Sequence, residues 1–240
     1  MNPLDILQSY WPLFLSGAFT TLKLTFMGVG IAAALAPILA LMRVRCNPIV
    51  QAPIRLYISF VRGTPILAQL FLIYYGAGEF RPWLQQVGLW AFLREPFNCA
   101  LLAFVLNSLA YQTEILRGGI QGVNLGEVEA AKAIGMPYRT QLRRVILPHA
   151  YRIAWPALGN EVILMIKASA LASVVTVFDL MGQTRTIFSR GYDFSAYLWA
   201  GLIYLAITAM FVWLWRVAEN RLSPQVSLRK RAHDMFEKGA

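Results

Sequence analysis

The chain has 240 residues, of which 58% are hydrophobic and 14% charged, with a formal net charge of +10 at pH 7. Its apolar residues gather in blocks of about the 20 residues that cross hydrocarbon, which excludes an ordinary soluble core and points to a multi-pass membrane protein. The positive charge is dispersed between these blocks and no nucleic-acid-reading motif accompanies it, so membrane topology accounts for it and nucleic acid is not an expected partner.

Residues 2–22 mix Trp11, Phe14 and Phe19 with Ser, Gly and Thr, and read as an interfacial helix that anchors the chain. Met1 to Trp11 holds no basic residue and contains Asp5, unlike a cleavable leader. The first span is expected over residues 24–42, with Lys23 at its edge reaching into the headgroups. Arg43, Arg45 and Arg55 with Pro48 and Pro53 then read as a short basic loop. The second span is expected over residues 56–77. Arg62-Gly63-Thr64-Pro65 interrupts it, because proline removes a donor and glycine loosens the backbone, so a bent or broken helix follows. Arg62 itself reads most simply as an anchor at the membrane interface. Glu79, Arg81 and Pro82 open an external segment that carries Trp83 and Trp90 to about Pro96.

The third span, residues 97–116, carries Asn107, Ser108, Tyr111, Gln112, Thr113 and Glu114, a polar density that must face protein or water rather than lipid. Asn107, Tyr111 and Glu114 recur at helical spacing and share one face. A polar, basic segment follows over residues 118–152. Glu127, Glu129 and Lys132 with Ala130, Ala131 and Ala133 form a short helix that Gly135-Met136-Pro137 stops. A second short helix is expected at once, with Pro137 in its first turn, Leu142, Val145 and Ile146 on one side, and Arg139, Arg143 and Arg144 around the others. This hairpin is too polar for lipid and too apolar on one side for water, so it requires a partner protein. Residues 153–178 form the fourth span with Asn160, Glu161 and Lys167, closed by Asp179. An external loop through Arg185 and Arg190 leads to the fifth span, residues 196–217.

The expectation is therefore an all-α integral membrane protein with about five transmembrane helices in residues 1–222 and a basic cytoplasmic tail over residues 223–240. Basic residues crowd one side of this topology, among them Arg43, Arg45, Arg117, Arg139, Arg143 and Arg144, while the opposite loops hold Arg81, Arg94, Arg185 and Arg190. The positive-inside rule then puts the hairpin and the C-terminus inside, in the cytoplasm, and the N-terminus outside. Cys46 and Cys99 fall at opposite ends of the expected spans, which argues against a disulfide, and no metal-ligand spacing occurs. No phosphate-binding loop and no HExxH, CxxC or GxSxG pattern is present, and His149 and His233 lack a partner constellation, so the chain reads as non-catalytic.

Glu129-Ala130-Ala131, Gly135, Val145 and Leu147-Pro148 resemble the EAA loop of ABC-importer permeases. Arg62-Gly63-Thr64-Pro65 with Leu67, Gln69, Leu70, Phe71 and Tyr74 resembles a segment of polar amino acid uptake permeases. Asn160-Glu161-Val162-Ile163-Leu164 with Lys167, Ser169 and Leu171 extends the likeness, which is closest to the histidine/lysine/arginine/ornithine and opine permeases. The resemblance implies a type I ABC importer permease fold in a bacterial inner membrane, with Glu129, Ala130, Ala131, Gly135, Leu147 and Pro148 coupling to an ATPase dimer. It also implies a second homologous permease subunit and a periplasmic solute-binding protein. ATP and Mg belong on the ATPase, and this chain is expected to bind no cofactor or metal.

Candidates for a substrate path are Glu161, Asn160, Glu114, Asn107 and Tyr111, since a carboxylate in low dielectric attracts a cationic solute far more strongly than one in water. An interhelical hydrogen-bonding or ion-pair role for Glu161 is the competing account. Two other readings stay open at this point: a membrane-embedded enzyme using Glu161, Glu114 and Lys167 as acid-base groups, and a passive channel or scaffold, which would have no need of the hairpin.

Overall fold

The computed structural model describes residues 3–222. The basic tail expected over residues 223–240 lies outside the described residues. Every element among the described residues is helical. Among the described residues, four helices are long and apolar enough to cross a membrane, or five spans if one sharply bent helix pair counts as a single crossing.

The first helix, α1, runs from Pro3 to Arg45 without interruption, 43 residues in all. At 1.5 Å per residue it is about 65 Å long, well beyond the hydrocarbon thickness. The separate interfacial helix expected over residues 2–22 is therefore part of one rod with the span that follows. Nothing between Leu22 and Leu24 can break a helix, and the polar groups there find protein partners: Thr21 is fully buried, and the Lys23 ammonium stands 5.1 Å from the ring centre of Phe97. Pro12 and Pro37 are both accommodated within α1.

The basic loop expected over residues 43–55 shrinks to Cys46 and Asn47, since helix α2 already begins at Pro48 and extends to Gly63. Asn47 caps it by accepting from the Val50 amide (3.0 Å), and Pro48 occupies the first turn where its missing N–H costs nothing. Helix α3, Ile66–Glu79, follows after Thr64 and Pro65, and the pair is bent by 107°. The break expected at Arg62-Gly63-Thr64-Pro65 is thus present. Its freed backbone groups are satisfied by Gln69, whose Nε2 donates to the carbonyls of Val61 (2.7 Å) and Thr64 (3.1 Å). Two short helices, α4 (Arg81–Gln86) and α5 (Trp90–Leu93), lead to α6, Pro96–Gln121. That helix forms the centre of the bundle and packs against α1 along most of its length.

Helix α7, Leu125–Ala133, and helix α8, Tyr138–Gln141, are the two arms of the hairpin. The second arm does not end before a separate span. A π-turn over Leu142–Ile146 carries it directly into α9, Leu147–Ala168. Pro148 explains the widened turn: with no N–H to give the preceding turn, it favours a register in which the Leu147 amide reaches back to the Leu142 carbonyl. Beyond Ser169–Val175, a 3-10 stretch, the external loop expected after Asp179 is instead a helix, α10 (Leu180–Gly191). Asp179 begins this helix, accepting from the Gly182 amide at 2.9 Å. The last helix, α11, spans Ser195–Leu222.

Close approach fixes how these helices cross. A side chain at Gly17 would meet the Leu180 backbone at 2.8 Å, so α1 lies directly against the start of α10. Gly159 of α9 receives the indole of Trp215 from α11, which also stacks on Trp155 with ring centres 4.2 Å apart. Small residues at such crossings are how membrane helices gain van der Waals contact without a hydrophobic driving force between them.

Candidate coupling surface and substrate cavity

The hairpin is shaped by three local devices. Asn124 caps α7 by accepting from the Gly126 amide (2.9 Å). Gly135 sits at φ +73, a left-handed conformation that side chains resist, and its amide donates to the Lys132 carbonyl (2.9 Å). Gln141 then closes the turn from within, donating to the Met136 carbonyl at 2.6 Å. Glu129 and Ala130 face outward while Ala131 is buried beneath them; Gly135 and Pro148 are exposed and Leu147 is half-buried. Leu125 and Ile134 are 75% and 72% exposed, so each end of α7 presents an apolar side chain outward, and Glu129 and Lys132 between them are exposed as well. His149 ties α9 back to α7, with Nε2 lying 3.3 Å from Glu127 Oε2.

A second feature lies where the α2–α3 break meets α6 and α9. Thr64, Pro65, Asn107, Tyr111, Glu161 and Met165 contribute to the lining of a cavity of about 250 Å³. Asn107 donates to Gln69 Oε1 (3.1 Å), fastening the break to α6, and the Arg62 guanidinium stands 5.2 Å from the ring centre of Tyr111. Glu161 is 4% exposed, and its Oε1 has no hydrogen-bond partner among the described residues. Burying a carboxylate oxygen without a donor is costly, and a cationic donor entering the cavity would relieve that cost.

The sequence candidates divide at this point. Glu161, Asn107 and Tyr111 come together around the cavity, whereas Asn160, one residue from Glu161 and so turned about 100° on the helix, is exposed. Glu114 lies elsewhere, held by Arg43 (3.1 Å) and Arg117 (2.8 Å). Lys167 is exposed and does not line the cavity. Sequence reasoning missed Thr64 and Pro65 as cavity walls, although the helix break it expected was the signal that could have found them. It also missed a buried polar cluster in which Asp179 accepts from Tyr204 (3.2 Å) and Thr21 accepts from the Leu180 amide (3.2 Å).

Comparison with known proteins fits this architecture. The nopaline transport system permease protein of Agrobacterium fabrum is 44% identical over 225 residues, covering 93% of each chain. The histidine/lysine/arginine/ornithine transport system permease protein of Salmonella typhimurium is 40% identical, over 93% of this chain and 99% of its own. A crystal structure of an amino acid ABC transporter with histidines superposes with a TM-score of 0.80 at 39% identity, over 92% of this chain and 99% of that one. An inward-facing methionine ABC transporter, at 17% identity and a TM-score of 0.71, shares the fold. These relatives share the type I ABC importer permease fold expected from the sequence. Residues 28–224 match the model of the binding-protein-dependent transport system inner membrane component, and the chain belongs to that family of transport permeases.

Proposed function

We propose that the chain is the permease subunit of an ATP-driven importer for a basic amino acid or a related opine. The observation that carries the solute class is Glu161: a buried carboxylate with an unpartnered oxygen, facing a cavity at a helix break. An amino acid with a cationic side chain brings one positive charge beyond its zwitterion, and the low-dielectric surroundings strengthen its attraction to that carboxylate. Asn107 and Tyr111 add an amide and a phenol to the same lining. The relatives named for nopaline and for histidine, lysine, arginine and ornithine transport support this class.

In this reading the hairpin faces the cytoplasm and docks on an ATPase dimer that carries ATP and Mg. A second homologous permease completes the translocation path, and a periplasmic solute-binding protein delivers the solute. Glu129 and the exposed Leu125 and Ile134 present charge and apolar surface to the ATPase, while Gly135 permits the turn between the arms. The crowding of arginines at the hairpin end, against Arg81, Arg94, Arg185 and Arg190 elsewhere, supports a periplasmic N-terminus and a cytoplasmic C-terminus.

The test is reconstitution in liposomes with the ATPase, the second permease and the solute-binding protein. Loaded solute-binding protein should stimulate ATP hydrolysis, and arginine, lysine, histidine, ornithine or an opine should accumulate ahead of a neutral amino acid. Solute conduction without ATP would support a channel instead, and absence of stimulation by every loaded receptor would overturn the importer reading.

A further inference from the structure

Among the described residues, a side-chain bridge joins the far-reaching helix α1 to the hairpin. Its last turn ends in two arginines that point to different neighbours. Arg43 binds Glu114 on α6, and Arg117 holds the other oxygen of that carboxylate, so this arginine belongs to the bundle. Arg45 reaches the hairpin: its Nε donates to the Tyr138 hydroxyl at 2.9 Å, and its guanidinium carbon stands 3.9 Å from the centre of the same ring. Tyr138 is the first residue of α8, immediately after the Gly135 turn. Beneath the bridge the packing is incomplete. A cavity of about 320 Å³ separates Leu41 and Val44 of α1 from Val128 of α7 and Ile146 of the π-turn, and the backbones of α1 and the hairpin arms hardly approach one another.

At its other end α1 is packed tightly. Gly17 lies against the backbone of Asp179 and Leu180, Thr21 accepts from the Leu180 amide, and Arg190 stands 6.0 Å from the ring centre of Tyr10. Pro37 removes one backbone hydrogen bond between these two ends, yet α1 stays helical throughout, and a continuous helix resists compression along its axis better than a loop does.

We propose that the Arg45–Tyr138 bridge passes displacement of the hairpin to α1, and through α1 to α10 at the opposite end of the molecule. Arg45 is thus a positioning residue for transport, and the proposal rests on the importer reading above. Planarity is essential to it, because a guanidinium can stack on the ring and donate to the hydroxyl together, which an ammonium cannot do.

The experiment uses the full chain in the complete complex with ATPase, second permease and loaded receptor. Radiolabelled arginine is the first solute probe, followed by lysine, histidine and ornithine until the wild type accumulates one. Arg45→Lys keeps the surface charge and is expected to keep assembly and ATP hydrolysis, yet solute moved per ATP should fall about tenfold. Tyr138→Ala should lower the same ratio by as much, and Tyr138→Phe by less, since the stack survives and only the hydrogen bond is lost. A wild-type ratio in Arg45→Lys would overturn the proposal, because charge alone would then suffice. Parallel losses of assembly, hydrolysis and uptake would overturn it too, by showing a merely structural contact. A wild-type complex with no ATP-driven uptake of any solute would overturn the importer reading itself, and this proposal with it.

Discussion

The hairpin and the Glu161 cavity are built in opposite ways. In the hairpin, the contacts that set its cap and its turn join residues close in sequence: Asn124 with Gly126, Gly135 with Lys132, and Gln141 with Met136. Around the cavity the partners come from distant segments, Asn107 with Gln69 and Tyr111 with Arg62, and Glu161 arrives from a fourth helix. A locally determined element can dock on a partner as a preformed unit. A cavity assembled from separate helices changes shape whenever those helices move, which is what a solute path must do.

The largest expected effect tests the cavity side of this contrast. Glu161→Gln keeps the shape and removes the charge, and uptake of a basic amino acid should fall by about tenfold to a hundredfold, the scale of one lost charge-assisted hydrogen bond. Uptake kinetics on purified, assembled complex check it; unchanged kinetics would take Glu161 out of the solute path. Next comes the hairpin. Gly135→Val forces a β-branched residue to φ +73, at a cost of about 1–2 kcal/mol or more, and should weaken ATPase association about tenfold while leaving the bundle's melting temperature near wild type. A large fall in melting temperature would show that the hairpin is less independent than its local contacts indicate.

Gln69→Leu sharpens the comparison from the other direction. It removes the donor that serves the carbonyls of Val61 and Thr64 and the acceptor used by Asn107, and should cost about 1–3 kcal/mol in thermal stability, with altered solute affinity. Thermal unfolding and a binding isotherm read both effects. The smallest change is expected from Asn124→Ala, which removes the cap on α7 for about 1 kcal/mol. Hydrogen exchange should accelerate in α7 alone; faster exchange around Glu161 would break the distinction between the two regions.

Much of this organisation was legible from residue order. The broken helix at Arg62-Gly63-Thr64-Pro65 and the turn at Gly135 follow from proline and glycine chemistry, which acts within a few residues. Asp179 does follow the fourth span, which ends by Val175, but the loop expected beyond it is a helix, and an aspartate capping Leu180, Thr184 and Ile187 is the signal for that beginning. The interfacial helix expected over residues 2–22 continues into α1 because Ser, Thr and Lys do not break a helix: Ser16 and Thr20 donate to carbonyls of α1 itself, while Thr21 accepts from the Leu180 amide.

By itself the sequence determined the membrane character, the approximate spans, the polar hairpin between them and the family likeness, since hydropathy, turn chemistry and motif spacing are properties of neighbouring residues. Only the tertiary structure decided which polar side chains share a cavity. Asn107, Tyr111 and Glu114 lie on one face of α6 by spacing, yet Glu114 is held by Arg43 and Arg117 while the other two meet Glu161. The same holds for Arg45 and Tyr138, brought together across 93 residues of sequence. Helical periodicity states which way a side chain points, but the crossing of the helices, set by close approaches such as Gly17 on Leu180 and Gly159 on Trp215, decides what it meets there.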